Sequence, residues 1–340
     1  MSTWEVRSEC TTGCAAHAAP RIPFTEAAGR CAAFARAAGR ALRDGERMSE
    51  PARLRAHARA VLDAIGVRLV VGAAADAGGL AVPGGLAVPG AAGPVAPDAV
   101  GPMVPDAVGP MAPIEVGPDA QPTGSTDARP PGSPAVPRPG TLVVANHISW
   151  LDIPALLAVE PVTLLAKREV GDWPLVGTLA RRAGTRFIDR DSPRQLPVTV
   201  ASLAALLRSG QSVAAFPQAT TWCSATYGAF RRATFQAALD AGAPVRPVTI
   251  AYEQQGLPST VAGFLGDEEF LSSVRRVVGA RGLTVRVTVH PPLLPRPGTH
   301  DRRALADLAR RAVIGTVREP VRRHALGRRT GRPEDQLLAT

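Results

Sequence analysis

Residues 72–139 set the first limit on how this chain can fold. Gly78-Gly-Leu-Ala-Val-Pro83 is followed at once by Gly84-Gly-Leu-Ala-Val-Pro89, then by Pro97-Asp-Ala-Val-Gly-Pro-Met103 and Pro105-Asp-Ala-Val-Gly-Pro-Met111. Proline removes a backbone donor and glycine gives up conformational order, so duplicated text of this kind sustains neither a helix nor a ladder. The folded core must be assembled from the residues on either side, and 72–139 is expected to be a disordered low-complexity Pro/Gly insertion. Its uncharged part, residues 77–97, is apolar, but Pro83, Pro89, Pro94 and Pro97 interrupt any spanning helix, so no transmembrane helix is expected.

Before the insertion, residues 1–25 show no periodicity and read as a disordered leader. Residues 26–66 read as an amphipathic helical pair. In the first helix, Glu26 to Asp44, Cys31, Phe34, Ala38, Ala41 and Leu42 share a face, with Arg36, Arg40 and Arg43 opposite. In the second, from Glu50, Ser49 is placed to cap, Pro51 lies in the first turn, and Leu54, Ala58, Val61, Leu62 and Ile65 form the stripe. These stripes either pack on the core or lie on an anionic membrane surface. Residues 67–71 read as the first strand and Thr141 to Ala145 as the next. Without the insertion the two would be hairpin neighbours, which places it at a loop tip where added length costs little.

From residue 140 to 320 strands and helices alternate. Strands are expected at Val162–Ala166, Thr185–Ile188, Ser212–Phe216, Val245–Tyr252 and Leu283–Val289. Helices are expected at Ile153–Val159, Val170–Ala183, Leu196–Arg208, Phe230–Ala241, Asp267–Val278 and Arg302–Val317. This is the order of an α/β domain, a mixed sheet flanked by helices. Residues 321–340 read as a basic tail.

With 39 Lys+Arg against 29 Asp+Glu the formal charge is +10, which points to anionic partners: phospholipid headgroups, acyl carriers or nucleic acid. Nucleic acid is set aside, because no zinc-finger spacing, aromatic RNA-binding motif or basic recognition helix occurs. Cys10, Cys14, Cys31 and Cys223 make no paired framework, which suits a reducing cytosol, and no secretory signal pattern opens the chain. Cys10, Cys14 and His17 could be metal ligands, but a fourth is missing and their segment looks irregular, so no metal is expected.

Chemistry enters at Ala145-Asn-His-Ile-Ser-Trp-Leu-Asp152. A β-branched strand delivers His147 to its end, and Asp152 follows five residues later near the first turn of a helix. A carboxylate so placed can take the proton on one ring nitrogen and leave the other facing a substrate hydroxyl, which suits a general base. The plainer alternative is a helix N-terminus with a chance histidine and a capping aspartate. Asn146 is the chain's one asparagine and Lys167 its one lysine, so both stand out in a composition biased toward Arg, Ala, Gly and Pro. Gly184-Thr-Arg-Phe-Ile-Asp-Arg190, Phe216-Pro-Gln-Ala-Thr-Thr221 and Val245-Arg-Pro-Val-Thr-Ile250 are expected to reach the same sheet edge, where ligands of α/β sheets collect. Arg190 offers a guanidinium fork to a phosphate, or else pairs with Asp189 or Asp191.

In this order and spacing the four stretches resemble the four blocks of the glycerolipid acyltransferases of the 1-acyl-glycerol-3-phosphate acyltransferase family. The resemblance covers about residues 67–295, less the insertion. Asn-His-x4-Asp and Gly-x-x-Phe-Ile-Asp-Arg match fully. The resemblance implies the glycerolipid acyltransferase fold, with the helical pair lying peripherally on the cytoplasmic face of the cell membrane. It implies acyl transfer from acyl-CoA or acyl carrier protein to the free hydroxyl of a lysophospholipid, 1-acyl-glycerol-3-phosphate giving phosphatidate, without metal or other cofactor. By it His147 is the base, Asp152 its orienting partner, and Arg190 the holder of the acceptor phosphate. Asn146, Gly184, Phe187, Gln218, Ala219, Thr220 and Thr221 become substrate-binding candidates. A thioester is already a good acyl donor, so one base suffices and no enzyme nucleophile is needed; Cys223 reads as structural.

The third block departs from the family's Phe-Pro-Glu-Gly-Thr, reading Phe216-Pro-Gln-Ala-Thr220. Gln218 keeps hydrogen-bonding capacity and loses charge, while Ala219 is strained if the turn requires positive φ. Two other readings follow: a catalytically silent lipid or acyl-carrier binding protein on the same fold, or an acyltransferase for another lysolipid such as an amino-acid lipid. If the insertion is a surface loop, deleting residues 78–132 leaves the melting temperature of the purified protein unchanged, and a large fall in a thermal melt contradicts that reading.

Overall fold

Side-chain alternation along the strand Leu142–Ala145 divides the interior in two. Leu142 and Val144 join one cluster with Leu203, Leu207, Phe235 and Leu305; Val143 and Ala145 join another with Leu62, Leu151, Ile250 and Val277. Successive residues of a pleated strand point to opposite faces, and all four here are buried, so helices must cover the sheet on both sides.

The computed structural model describes residues 6, 8–74, 138–189, 193–223, 227–296 and 298–315. In chain order the elements are α1 (Phe24–Asp44), α2 (Pro51–Ala64), β1 (Arg68–Ala73), β2 (Leu142–Ala145), α3 (Asp152–Val159), β3 (Thr163–Lys167), α4 (Arg168–Gly171) and α5 (Val176–Arg182). They continue with β4 (Arg186–Ile188), α6 (Leu196–Arg208), β5 (Val213–Ala215), α7 (Ala233–Ala241), β6 (Val245–Gln254), β7 (Leu257–Pro258), α8 (Phe270–Val278), β8 (Leu283–Val289) and α9 (Arg302–Gly315). Helices α6, α7 and α9 contribute to the cluster of Leu142 and Val144, and α2, α3 and α8 to that of Val143 and Ala145. The expected α/β architecture with a mixed sheet is present.

The sheet runs β1-β8-β6-β2-β5-β3-β4, with β7 paired to β6. Strands β2 to β6 are parallel, whereas β8 is antiparallel to β6 and β1 is parallel to β8. The hairpin expected between β1 and β2 is therefore corrected. Both edges of the long strand β6 are occupied, by β2 on one side and β8 on the other, so two strands separate β1 from β2. Strand β1 also extends to Ala73, beyond the expected stop. Residues 75–137 of the insertion and the tail from 316 lie outside the described residues.

Two further expectations change. The single helix Val170–Ala183 is two, because Pro174 cannot continue a helix and Leu175 adopts φ 62°. Gly177 then lies so close to Gly171 that a Cβ on it would meet the Gly171 carbonyl oxygen at 2.0 Å. The leader read as disordered is in part ordered: Cys10 and Cys14 are buried, and a short 3-10 turn covers Thr12–Cys14. The buried residues of α1 are Ala37 and Ala41, with Phe34 half-buried, while Cys31 is exposed. Arg30 fastens this helix to the core, donating to the carbonyls of Ile65, Val278 and Ala280 at 3.0–3.2 Å.

Just past the end of β8, buried His290 contacts the Thr249 hydroxyl of β6 through Nε2 at 2.8 Å, and that hydroxyl donates to the Val313 carbonyl of α9 at 2.7 Å. Burial lowers the imidazole pKa from its ordinary 6.5. Below that value the unfolded chain binds the proton more readily, so this residue's contribution to stability is lost as pH falls through the folded-state pKa. His290→Gln keeps an N–H donor without a titration, and is expected to show a smaller loss of urea stability than wild type between about pH 7 and about pH 5.

Candidate active site

Asp152 is fully buried, and its carboxylate accepts four hydrogen bonds. Oδ2 receives the backbone N–H groups of Ile148 at 2.7 Å and Ser149 at 2.9 Å, and meets His147 Nδ1 at 2.7 Å. Oδ1 receives the Tyr252 hydroxyl at 2.6 Å. The chain supplies this arrangement locally. Strand β2 ends at Ala145, residues 146–151 coil over the start of α3, and the carboxylate in the first helical turn lies opposite the N–H groups of the coil.

The contact at Nδ1 assigns that nitrogen's hydrogen to Asp152 and leaves Nε2 to take a proton. The imidazole is 22% exposed and stacks on Phe216, ring centroids 4.1 Å apart at 18°. Its backbone is held twice by the loop after β5. The His147 N–H donates to Gln218 Oε1 at 2.6 Å, and the His147 carbonyl accepts the Trp222 N–H at 2.8 Å. Gln218 is buried, and its Nε2 has no hydrogen-bond partner among the described residues, so a buried donor beside His147 is left unsatisfied.

The sequence-named residues divide. His147, Asp152, Gln218 and Ala219 meet here, and Ala219 has φ 62°, the left-handed turn the third block requires. Thr220 is half-buried beside it, while the Thr221 hydroxyl is committed to the Phe264 carbonyl. Asn146 is corrected from substrate-binding to structural: fully buried, it donates from Nδ2 to the Ile250 carbonyl at 2.9 Å and accepts the Ile250 N–H at 2.8 Å, adding a side-chain rung between β2 and β6. Gly184 is corrected as well. It precedes β4, and since β4 runs parallel to β2 it lies at the opposite sheet edge, where φ 76° turns the chain out of α5. Phe187 packs its ring against Gly171, 3.3 Å from where a Cβ would stand, and serves packing. Arg190 lies outside the described residues.

Tyr252 is the residue of the candidate site that sequence reading did not name. Burial, and then the Asp152 charge, push its phenol well above the ordinary 10.0, so it keeps its proton and donates it. The signal was faint: Tyr252 lies two residues past Ile250 on the same strand, and the side-chain period places 248, 250 and 252 on one face. Scarce aromatics also gather beside the histidine. Trp150 packs on Phe270 at 5.3 Å and Phe34 at 6.0 Å, and Trp173 on Phe270 at 6.1 Å and Phe264 at 6.2 Å. The Phe264 N–H donates to the Ile148 carbonyl at 2.9 Å, which ties this cluster to the site, and Trp173 and Leu175 leave apolar surface exposed next to it.

Residues 129–251, from just before β2 into β6, match the family model described as Acyltransferase. The chain is 42% identical to a lyso-ornithine lipid O-acyltransferase of Pseudomonas aeruginosa over 51% of its own length and 66% of that protein's. It is 35% identical to a 1-acyl-sn-glycerol-3-phosphate acyltransferase of Neisseria meningitidis serogroup B, over 52% and 69%. A lyso-ornithine lipid O-acyltransferase of Brucella abortus is 30% identical over 55% and 73%. The chain thus spans about two thirds of the length of these curated relatives.

Ala219→Gly should stabilise the fold. Left-handed strain of about 1–2 kcal/mol is relieved against an added chain-entropy cost of about 0.5–1 kcal/mol, so the urea midpoint is expected to rise slightly. A fall would mean that the alanine methyl makes packing contacts worth more than the strain.

Proposed function

Because the chain belongs to the acyltransferase family, we propose that it O-acylates a lysolipid, moving a fatty acyl group from acyl-CoA or acyl carrier protein to the free hydroxyl of 1-acyl-glycerol-3-phosphate to give phosphatidate. The observation that carries this reading is the 2.7 Å contact between His147 Nδ1 and a buried Asp152 that three further donors hold in place.

In this reaction Nε2 removes the proton of the acceptor hydroxyl as its oxygen attacks the thioester carbonyl. The tetrahedral intermediate collapses, the C–S bond breaks, and the departing thiolate takes the proton back from the imidazolium. Asp152 stabilises the imidazolium while it exists, and Tyr252 holds the carboxylate's other oxygen. Gln218 positions the His147 backbone and offers its Nε2 hydrogens to the substrate. The departure in the third block leaves the pairing of His147 with Asp152 in place, which favours the enzyme over the silent relative. Arg190 is assigned the acceptor phosphate, and no metal or other cofactor is assigned to the chemistry.

No helix among the described residues is long and apolar enough to cross a membrane. A peripheral position at the cytoplasmic face suits the basic α1 surface of Arg36, Arg40 and Arg43, and the exposed Trp173 and Leu175 beside the histidine. A second acceptor, an ornithine-type lysolipid, is suggested by the Pseudomonas relative, which carries that acceptor's name.

With acyl-CoA and detergent-dispersed acceptor, His147→Ala is expected to lose about 10²- to 10⁴-fold in turnover, the usual weight of a general base. Turnover undiminished in that variant ends the proposal. Gln218→Glu is expected to change the ratio of rates on lysophosphatidate and lyso-ornithine lipid, measured in one competition assay.

A further inference from the structure

Three of the chain's four cysteines meet in one buried place. Cys10 and Cys14 come from the N-terminal segment, Cys223 from the loop after β5, and their sulfur atoms all lie within 4.8 Å of one another. None is in a disulfide. The surroundings are apolar: Leu265 is fully buried against the trio, with Ala15 and Trp222 packed beside it. The backbone N–H of Cys223 points at Cys10 Sγ, 3.3 Å away. His17 follows three residues after Cys14, and both of its ring nitrogens are buried without a hydrogen-bond partner among the described residues.

We propose that Cys10, Cys14 and Cys223 bind a zinc ion as thiolates, with His17 turning in as the fourth ligand, and that this ion fastens the N-terminal segment to the loop that holds His147. Soft sulfur ligands favour zinc among the common divalent ions, and a Cys₃His set is one of its usual tetrahedral structural sites. Binding converts three S–H groups to thiolates and releases their protons, so the ion's two positive charges offset most of the negative charge formed in an apolar pocket. An N–H directed at a ligating sulfur is a common outer-shell support of such sites. The His17 nitrogens stand outside the 4.8 Å trio, while the N–H groups on either side, Ala16 and Ala18, are anchored to Thr260 Oγ1 and Gln254 Oε1. Completing the set therefore falls to rotation of the imidazole.

The location gives the ion a task. Cys223 adjoins Trp222, whose N–H holds the His147 carbonyl, and follows Gln218, which holds the His147 N–H. No step of acyl transfer passes through the metal. It closes a loop across a sequence separation of 213 residues, and its loss loosens the segment that sets the histidine.

Full-length protein purified without chelator is expected to carry one zinc per chain by elemental analysis. The content should be retained in Cys31→Ser, whose exposed thiol is elsewhere, and lost in Cys10→Ser and Cys14→Ser. Because Cys223→Ser could disturb folding, wild-type protein is also stripped of metal anaerobically under reducing conditions and titrated with Co²⁺. Thiolate-to-cobalt charge-transfer bands and intense tetrahedral visible bands should appear at one equivalent, and added Zn²⁺ should abolish them and raise the melting temperature. His17→Ala should shift the visible bands; an unshifted spectrum overturns the histidine ligand. Absence of metal as isolated together with absence of thiolate bands on Co²⁺ addition overturns the site.

Discussion

A carboxylate with no exposed surface needs its hydrogen-bond donors supplied by the fold, and at Asp152 four separate demands on the chain follow. Strand β2 must stop at Ala145, so that Ile148 and Ser149 can aim their N–H groups inward. Helix α3 must begin at Asp152 itself. Strand β6 must run on to residue 252 to deliver a phenol. The histidine must then lie where the remaining lone pair is. Hydrogen bonds to a charged group contribute roughly 1.5–3 kcal/mol each, and removing one leaves a buried acceptor short of partners. The same four contacts thus hold the local fold and fix the orientation of the His147 ring.

Strand β6 links this site to the rest of the sheet. It pairs with β2 on one edge and β8 on the other, carries the Asn146 contact at Ile250, the Asp152 contact at Tyr252, and, at Thr249, the contact to α9. Its side chains alternate between the two buried clusters, so displacement of β6 would disturb both layers as well as the His147–Asp152 pair.

Local order was legible in the sequence where periodicity and punctuation agreed. Leu196–Arg208 and Leu283–Val289 fall where expected, and the His147–Asp152 pairing follows from strand-to-helix spacing alone. Nonlocal order was not. Strand pairing depends on which edges are already occupied, and nothing near β1 says that β8 will claim it. Gly184 matched a motif, yet strand direction sends it to the far edge. The contact of Tyr252 with Asp152, and that of Cys223 with the already noticed Cys10 and Cys14, are encounters between segments widely separated in sequence, and Tyr252 and Cys223 carry no local mark. Cys223 read as structural because its neighbours in sequence are not its neighbours in space.

Asn146 stands next to His147, and its amide hydrogen-bonds the backbone of β6 at Ile250. Its amide matches the donor and acceptor of a peptide group, and so continues the ladder one step after the main chain has turned away. Replacing it would leave the Ile250 N–H and C=O without these side-chain partners, whatever becomes of His147. The motif therefore records two histories in adjacent letters, one of folding and one of reaction. Survival of the first letter is no sign that the second is still in use.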